Sequence, residues 1–163
     1  MTRRNILSFF GSLGLGPYAM TAMAAMPAGS GPAITPLRLS DADWYARLEP
    51  AQYAVLRKEG TERPGSSALN AEKRAGVFHC AGCDLPLFSS SAKYDSGTGW
   101  PSFSSSLPGA VETRTDYKLV FPRTEYHCAR CEGHQGHVFN DGPKPTGKRY
   151  CNNGVALKFA GAA

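Results

Sequence analysis

The 163-residue chain has no basic stripe, although its formal net charge is +5. Nucleic acid is therefore not favoured as a partner. It also shows no strand–helix–strand alternation and no repeat of fixed period, which argues against a parallel α/β fold and against a repeat architecture. Its five cysteines are an odd number, which does not suit a framework built only of disulfides. What remains is a chain of one-domain length in which 42% hydrophobic residues suffice for a globular core.

Charged residues are missing from a long stretch near the N-terminus, residues 5–37, which follows the pair Arg3-Arg4. The apolar part of this stretch, Ile6 to Leu15, is interrupted by glycine too early to provide the about 20 apolar residues of a membrane helix. Small residues follow, with Ala22-Met23-Ala24 as a cleavage site. This order predicts a twin-arginine signal peptide over residues 1–24. A disordered tail with a chance arginine pair is the alternative.

A signal of this kind predicts export to the periplasm with no stable membrane span after processing. Residues 25–38 are rich in proline, glycine and alanine and predict a linker, so the folded domain is expected over 39–160. Ser40 and Asp43 have the spacing of a capping box and predict the start of a helix. Pro50 suits the first position of a second helix.

This second helix is expected to carry Arg57 and Lys58 in its last turn and to end at Gly60. From Gly76 onward, short runs of strand-forming residues alternate with turn residues. The runs are Val77–His79, Leu85–Phe88, Ala110–Thr113, Tyr117–Phe121, Glu125–His127, His137–Phe139 and Val155–Phe159. Residues 113–116 are predicted to form a hairpin turn. The sequence therefore predicts a mainly β, α+β fold with N-terminal helices and an antiparallel sheet.

Four cysteines form two Cys-x-x-Cys pairs: Cys80 with Cys83, and Cys128 with Cys131. Each gap lets one turn present two thiolates to the same ion, and Gly82 and Gly133 are expected to ease the tight backbone. Four thiolates make a closed structural zinc site with no open position for catalysis. The pattern predicts one Zn²⁺ per chain, which would clamp two distant parts of the sheet together. Two disulfides, four free thiols or bound iron are the alternatives.

The fifth cysteine, Cys151, is left without a metal role. It lies two residues after Arg149, and two histidines, His134 and His137, are near it in sequence. A neighbouring cation lowers the pKa of a thiol and makes it a nucleophile. An inert buried thiol, with Arg149 as a plain surface charge, is the alternative.

Three further motifs occur in order with the cysteine pairs: Gly-Trp-Pro-Ser-Phe, Gly-His-Val-Phe-Asn-Asp-Gly-Pro and Arg-Tyr-Cys-x-Asn. Over residues 39–159 the chain closely resembles the methionine-R-sulfoxide reductases of the B type. The resemblance implies a β-tent of two antiparallel sheets and an enzyme that reduces the R epimer of methionine sulfoxide in oxidised proteins. A zinc-ribbon-like binding module, in which Cys151 is incidental, is the alternative from another class. A thiol–disulfide enzyme working through the Cys-x-x-Cys pairs is a second one.

The same resemblance implies roles for single residues. Cys151 matches the catalytic cysteine, which attacks the sulfoxide sulfur and ends as a sulfenic acid. His137 and Asn153 match residues that hydrogen-bond or protonate the sulfoxide oxygen, directly or through water. The residues expected to bind or support the substrate are Trp100, His134, Phe139, Asp141 and Arg149, with Asp141 and Arg149 joined as an ion pair.

One position departs from the family pattern. Many members carry a resolving cysteine two residues before the tryptophan, and Thr98 occupies that position here. With four cysteines assigned to zinc, no thiol remains for an internal disulfide with Cys151. A thioredoxin- or glutaredoxin-like protein, or a small thiol, is then expected to reduce the sulfenic acid.

Overall fold

The computed structural model describes residues 34–162. The signal peptide expected over 1–24 and most of the linker lie outside these residues. In the described part, no helix is long and apolar enough to cross a membrane. Residues 34–40 contain neither helix nor strand, yet the Leu37 N–H donates to the Arg130 carbonyl at 2.6 Å. The chain is thus attached to the domain before its first helix.

Two short helices follow, α1 (Asp41–Arg47) and α2 (Pro50–Leu56). Both predicted starts are confirmed. The Ser40 hydroxyl accepts from the Asp43 N–H at 3.2 Å, and the Asp43 carboxylate accepts from the Ser40 N–H in return. This capping box satisfies two backbone donors that the first turn of α1 leaves unpaired.

The last turn of α2 lies slightly earlier than predicted, because Arg57 and Lys58 follow the helix and are not part of it. The helix ends at Leu56, and Arg57 lies beyond it, with its guanidinium donating to the Cys131 carbonyl at 2.8 Å. Glu59, not Gly60, adopts the left-handed backbone conformation, with φ of 54°. Gly60 is needed because its backbone lies close to α2, where a Cβ would lie 2.8 Å from the Ala54 carbonyl oxygen. The Gly60 N–H donates to the Ala54 carbonyl at 2.9 Å, so this backbone bond, with Glu59 in the left-handed conformation before it, closes the end of the helix.

Within residues 34–162, nine strands form two antiparallel sheets, which confirms the predicted fold. The strands are β1 (Gly76–Cys80), β2 (Pro86–Ser89), β3 (Lys93–Tyr94), β4 (Ser102–Phe103), β5 (Val111–Asp116), β6 (Arg123–Cys128), β7 (His134–Phe139), β8 (Arg149–Asn152) and β9 (Leu157–Gly161). The small sheet has the order β2-β1-β9 and the large one β3-β4-β8-β7-β6-β5. Three 3₁₀ turns, Ala68–Asn70, Ser90–Ala92 and Gly154–Ala156, complete the regular structure of the described residues.

The hairpin turn predicted over residues 113–116 is wrong, because these residues are the end of β5. The connection to β6 is the loop 117–122, most of which the sequence predicted as a strand. Asp116 explains the change. It pairs in register with Arg123 across the hairpin, and its Oδ1 accepts from the Lys118 N–H at 2.9 Å. Aspartate commonly begins a turn in this way.

Aromatic side chains fill the space between the sheets. Phe88 of the small sheet stacks on Phe103 of the large one with ring centroids 4.2 Å apart, and Phe78 meets Phe103 edge-on at 5.0 Å. Tyr126 and Tyr150 extend this cluster from the inner face of the large sheet. Because neighbouring residues of a strand point to opposite faces, the outer face of the large sheet is left free to carry polar side chains.

Candidate active site and metal centre

The two Cys-x-x-Cys pairs meet in one buried cluster. The Sγ atoms of Cys80 and Cys131 are 3.6 Å apart and those of Cys83 and Cys128 are 3.5 Å apart, with all four sulfurs within 4.8 Å of one another. These separations are far longer than the about 2.05 Å of a disulfide. Four sulfurs at about 2.3 Å from one ion would lie about 3.8 Å apart in a tetrahedron. The donor set therefore fits a zinc ion and could hold one.

Each pair lies in a tight turn of the same design. The Cys80 N–H donates to the Leu85 carbonyl, and the Cys128 N–H donates to the Gly133 carbonyl. The residues in left-handed conformation are Asp84 (φ 60°) and Glu132 (φ 58°). Neither Gly82 nor Gly133 has a positive φ, so any easing of these turns by glycine comes from the missing side chain. Gly133 is needed for packing, because a Cβ there would lie 3.0 Å from the Leu56 side chain.

The cysteine cluster joins the two sheets and reaches towards Cys151. Cys80 ends β1 of the small sheet, and Cys128 ends β6 of the large one. Gln135 donates to Cys80 Sγ at 3.4 Å, and its own side-chain oxygen accepts from Asn152 at 3.3 Å. Asn152 is the chain neighbour of Cys151. The four thiols thus lie where a bound ion would link the two distant segments, as predicted.

Strand register brings the reactive residues together on the outer face of the large sheet. Cys151 of β8 lies opposite His137 of β7 on one side and opposite Ser102 of β4 on the other. Gly136 allows β7 and β8 to approach at this point, because a Cβ there would lie 1.9 Å from the Cys151 carbonyl oxygen. A side chain at position 136 would push His137 away from Cys151.

A pocket of about 130 Å³ opens above Cys151. Its lining consists of Thr61, Trp100, Arg123, Gly136, His137, Phe139, Cys151, Asn152 and Asn153. The structure therefore brings together the three residues expected to be catalytic and two of the five expected at the substrate. Trp100 is fixed by its indole N–H, which donates to the Glu62 carbonyl at 3.1 Å.

Arg149 and Asp141 form the expected ion pair beside the pocket. The Arg149 guanidinium donates to both carboxylate oxygens of Asp141 at 2.8 Å and lies 4.3 Å from the centre of the Phe139 ring. Two parallel hydrogen bonds fix a guanidinium more firmly than one. Neither charged side chain lines the pocket, so the pair supports Phe139 and the strand that carries Cys151 from outside.

Comparison with known proteins decides the family. Residues 48–161 match the family model described as the SelR domain. The chain is 56% identical over 118 residues to the peptide methionine sulfoxide reductase MsrB of Pseudomonas entomophila, covering 71% of this chain and 88% of that protein. It belongs to the methionine-R-sulfoxide reductase B family. The MsrB of Pseudomonas putida strain W619 is 54% identical, covering 72% of this chain and 89% of that protein. The mitochondrial methionine-R-sulfoxide reductase B2 of Rattus norvegicus is 52% identical, covering 76% of this chain and 75% of that protein.

In this member of the methionine-R-sulfoxide reductase B family, the expected lowering of the Cys151 pKa is wrong. Burial raises the pKa of the thiol above its usual range, and this outweighs the Arg149 guanidinium and the Thr98 hydroxyl, which lower it. Burial therefore favours the neutral thiol form of Cys151.

Asp116 was missed in the sequence, although it contacts His137 directly. The His137 Nε2–H donates to Asp116 Oδ2 at 2.8 Å, and Arg123 donates to the same oxygen at 2.7 Å. The Lys118 N–H, His137 and Arg123 hold the pKa of Asp116 well below its usual range. Burial lowers the pKa of His137 more than Asp116 raises it. His137 is thus a neutral imidazole with its proton on Nε2.

His134 does not line the pocket above Cys151. It is buried behind His137, with the two rings edge-on and their centroids 5.5 Å apart. Its Nδ1 bonds to Glu125 Oε1 at 2.7 Å. The Glu125 carboxylate also accepts from Arg114 at 2.8 Å and from His127 at 3.3 Å. His134 therefore supports His137 from below the pocket, and Glu125 is a second acid that the sequence analysis missed.

Asn153 lines the pocket, but its amide is already engaged. Its Oδ1 accepts from the Glu62 N–H at 3.0 Å, and its Nδ2 donates to the Gln135 carbonyl at 3.0 Å. Glu62 also accepts from the N–H groups of Gly154 and Val155 through its carboxylate. Together with its bond to the Trp100 indole, these contacts make Glu62 the organising residue of the loop 61–67. No local pattern in the sequence indicates this role of Glu62.

Proposed function

We propose that this protein reduces the R epimer of methionine sulfoxide in oxidised proteins to methionine, with Cys151 as the nucleophile. One observation carries the proposal. Of the five cysteines, only Cys151 lies in the pocket with His137 and Trp100, while the other four are gathered in the metal centre. A binding module would have no use for a thiol placed between an imidazole and an aromatic wall. The names of the relatives support the same reaction.

The pocket suits a methionine sulfoxide side chain. The Trp100 face receives the methyl group, since sulfur-bound methyl groups pack well on aromatic rings. Cys151 Sγ attacks the sulfoxide sulfur, and the oxygen passes from the substrate sulfur to the cysteine sulfur. The substrate sulfur is reduced by two electrons and Cys151 is oxidised by two. Methionine and a cysteine sulfenic acid result, with the thiol proton retained on the transferred oxygen.

Proton transfer falls to His137. Sulfoxide oxygen leaves poorly until it is protonated, so an acid must act beside it. With Nε2–H donated to Asp116, Nδ1 of His137 is free to accept the thiol proton of Cys151 and to pass it to the oxygen. Asp116 is then a positioning residue, because its carboxylate holds the required tautomer and stabilises the imidazolium that forms, as the aspartate of a Ser-His-Asp triad does.

Recycling requires an external thiol. Thr98 cannot form a disulfide, and the four remaining cysteines are committed to the metal centre. Two equivalents of thiol convert the sulfenic acid to the thiol, with release of water and formation of one disulfide. A thioredoxin- or glutaredoxin-like protein or a small thiol supplies these electrons. Zinc, held by Cys80, Cys83, Cys128 and Cys131, would contribute folding energy and take no part in the chemistry.

Residues 1–24 are proposed to direct export to the periplasm, with 25–38 as a linker and 39–160 as the reductase domain. The twin-arginine route moves folded proteins, so a four-cysteine site could be loaded with zinc before it met an oxidising compartment. Replacement of Arg3 and Arg4 by lysine should retain the full-length chain in the cytoplasmic fraction. Unchanged recovery from the periplasm would contradict a twin-arginine signal.

Single-turnover assay without reductant tests the reductase proposal. Purified protein should release one equivalent of methionine from the R sulfoxide of N-acetylmethionine and little from the S sulfoxide. Peptide mass analysis should place one added oxygen on Cys151, trappable with dimedone. Equal turnover of both epimers, or oxidation of a metal-centre cysteine in place of Cys151, would overturn the assignment.

A further inference from the structure

The loop 117–122 between β5 and β6 exposes four large apolar side chains in close succession, and we call it the apolar loop. The exposed fractions are 75% for Tyr117, 58% for Leu119, 92% for Val120 and 80% for Phe121. Among residues 34–162, Tyr45 is the only other large hydrophobic side chain with comparable exposure. Apolar residues gathered on a surface in this way mark interaction sites.

The base of the apolar loop is held in place. Asp116 accepts from the Lys118 N–H at 2.9 Å through one oxygen and from Arg123 at 2.7 Å through the other. The Lys118 ammonium is paired with the Glu59 carboxylate. These contacts fix both ends of the loop to the sheet. The apolar side chains between them project outward, away from the aromatic core.

The residues on either side of the apolar loop connect it to the pocket above Cys151. Arg123, the first residue after the loop, lines the pocket beside His137. Asp116 is the last residue before the loop. Its Oδ2 accepts hydrogen bonds from both His137 and Arg123. At about 130 Å³ the pocket has the size of one side chain. The polypeptide on either side of a bound sulfoxide would then run across the surface around the pocket, and the side of Arg123 leads to the loop.

We propose that the apolar loop binds the apolar residues that flank the methionine sulfoxide in an unfolded segment of an oxidised protein. The proposal rests on the reductase function. Methionine packs among apolar side chains in protein cores, and its oxidation disrupts that packing. Segments that present the sulfoxide to an enzyme consequently present apolar neighbours with it. The loop supplies the matching surface next to the pocket, and its one basic side chain is already neutralised by Glu59.

Three substrates test the proposal: a peptide with leucine and valine on both sides of the R sulfoxide, a matched peptide with serine and glycine there, and N-acetylmethionine R-sulfoxide. The wild type should prefer the apolar peptide to the polar one. The variant Y117S/L119S/V120S/F121S should lose at least about tenfold in kcat/KM on the apolar peptide, or about 1.4 kcal/mol. It should keep its activity on the other two substrates within twofold. Because the replaced side chains are exposed, the fold should survive.

Tyr45→Ser is the matched control, since it removes an exposed aromatic side chain from α1; its peptide preference should equal that of the wild type. Equal losses on all three substrates would overturn the proposal, because the loop would then act on the catalytic geometry. An unchanged preference would overturn it as well. Light scattering that shows a wild-type dimer and a monomeric variant, with no change in substrate preference, would assign the loop to self-association instead. Failure of the wild type on N-acetylmethionine R-sulfoxide would refute the reductase function itself.

Discussion

Replacing Glu125 by glutamine should remove a buried negative charge on which three basic side chains converge. Arg114, His127 and His134 all donate to its carboxylate, and only 3% of the side chain is exposed. The amide of glutamine keeps the shape but can accept at one oxygen only. Burial raises the pKa of Glu125, but hydrogen bonds from His127 and His134 outweigh it and lower the pKa from 4.5 to about 2.

The size of the effect follows from this pKa. One pKa unit is worth about 1.4 kcal/mol, so the ionised carboxylate contributes about 3 kcal/mol to the free energy of unfolding at pH 7. A carboxyl group with a lowered pKa stabilises the fold above its unfolded value, here 4.5, and this contribution is lost as the pH falls towards about 2. At pH 3.5 about 2 kcal/mol should remain.

Guanidinium-induced unfolding of the wild type and of Glu125→Gln at pH 7 and pH 3.5 gives the measurement. The gap in free energy should be about 3 kcal/mol at pH 7 and should shrink at pH 3.5. Protonation of the metal-centre thiols affects both proteins and cancels in the gap. Glu112→Gln, with a carboxylate that is 66% exposed on the same hairpin, should change stability by less than about 0.5 kcal/mol. A gap of the same size at both pH values would refute the electrostatic argument.

Four further predictions concern the chemistry and the metal. Cys151→Ser should abolish sulfoxide reduction while zinc content and melting temperature stay at wild-type values; any turnover near the wild-type rate would end its role as nucleophile. Cys131→Ser should lose zinc and melt at least about 10 °C lower, since each kcal/mol is worth about 2–8 °C; calorimetry and metal analysis would detect a stable, zinc-loaded variant if the site were not structural. Asp116→Asn should lower kcat of the reductase step about 10²-fold with little change in KM. Because Asp116 raises the pKa of His137, the acid limb of the variant's pH–rate profile should lie at lower pH than that of the wild type. A profile with an unmoved acid limb would exclude an effect of the Asp116–His137 contact on the reaction. Thr98→Cys should replace dimedone labelling of oxidised Cys151 by an internal disulfide, and persistent labelling would place the loop out of reach.

Much of the fold and of the reactive set could be predicted because the signals are local. The capping box at Ser40 spans four residues, and each Cys-x-x-Cys turn is complete within one short segment. The remainder depended on contacts between distant segments. Asp116 looked like a turn residue in sequence because only its pairing with Arg123 shows that the strand continues to that point.

The supporting residues were missed for the same physical reason. Glu125 lies in an ordinary strand, and its importance comes from register, which places it opposite His137 and within reach of His134. Glu62 bonds to residues about 90 positions away. The direction of the Cys151 pKa was also misjudged, because sequence proximity to Arg149 says nothing about burial, and burial has the larger effect.

The hydrogen bonds that run from Cys80 through Gln135 to Asn152 have a practical consequence. Loss of metal would free the Cys80 thiol to rotate, and Gln135 would lose the partner that orients it next to the backbone of Cys151. Two batches of equal purity should then differ in specific activity in proportion to their zinc content. Incubating the weaker batch with zinc and a reductant should bring it level with the stronger one, so that metal analysis becomes part of defining an active preparation.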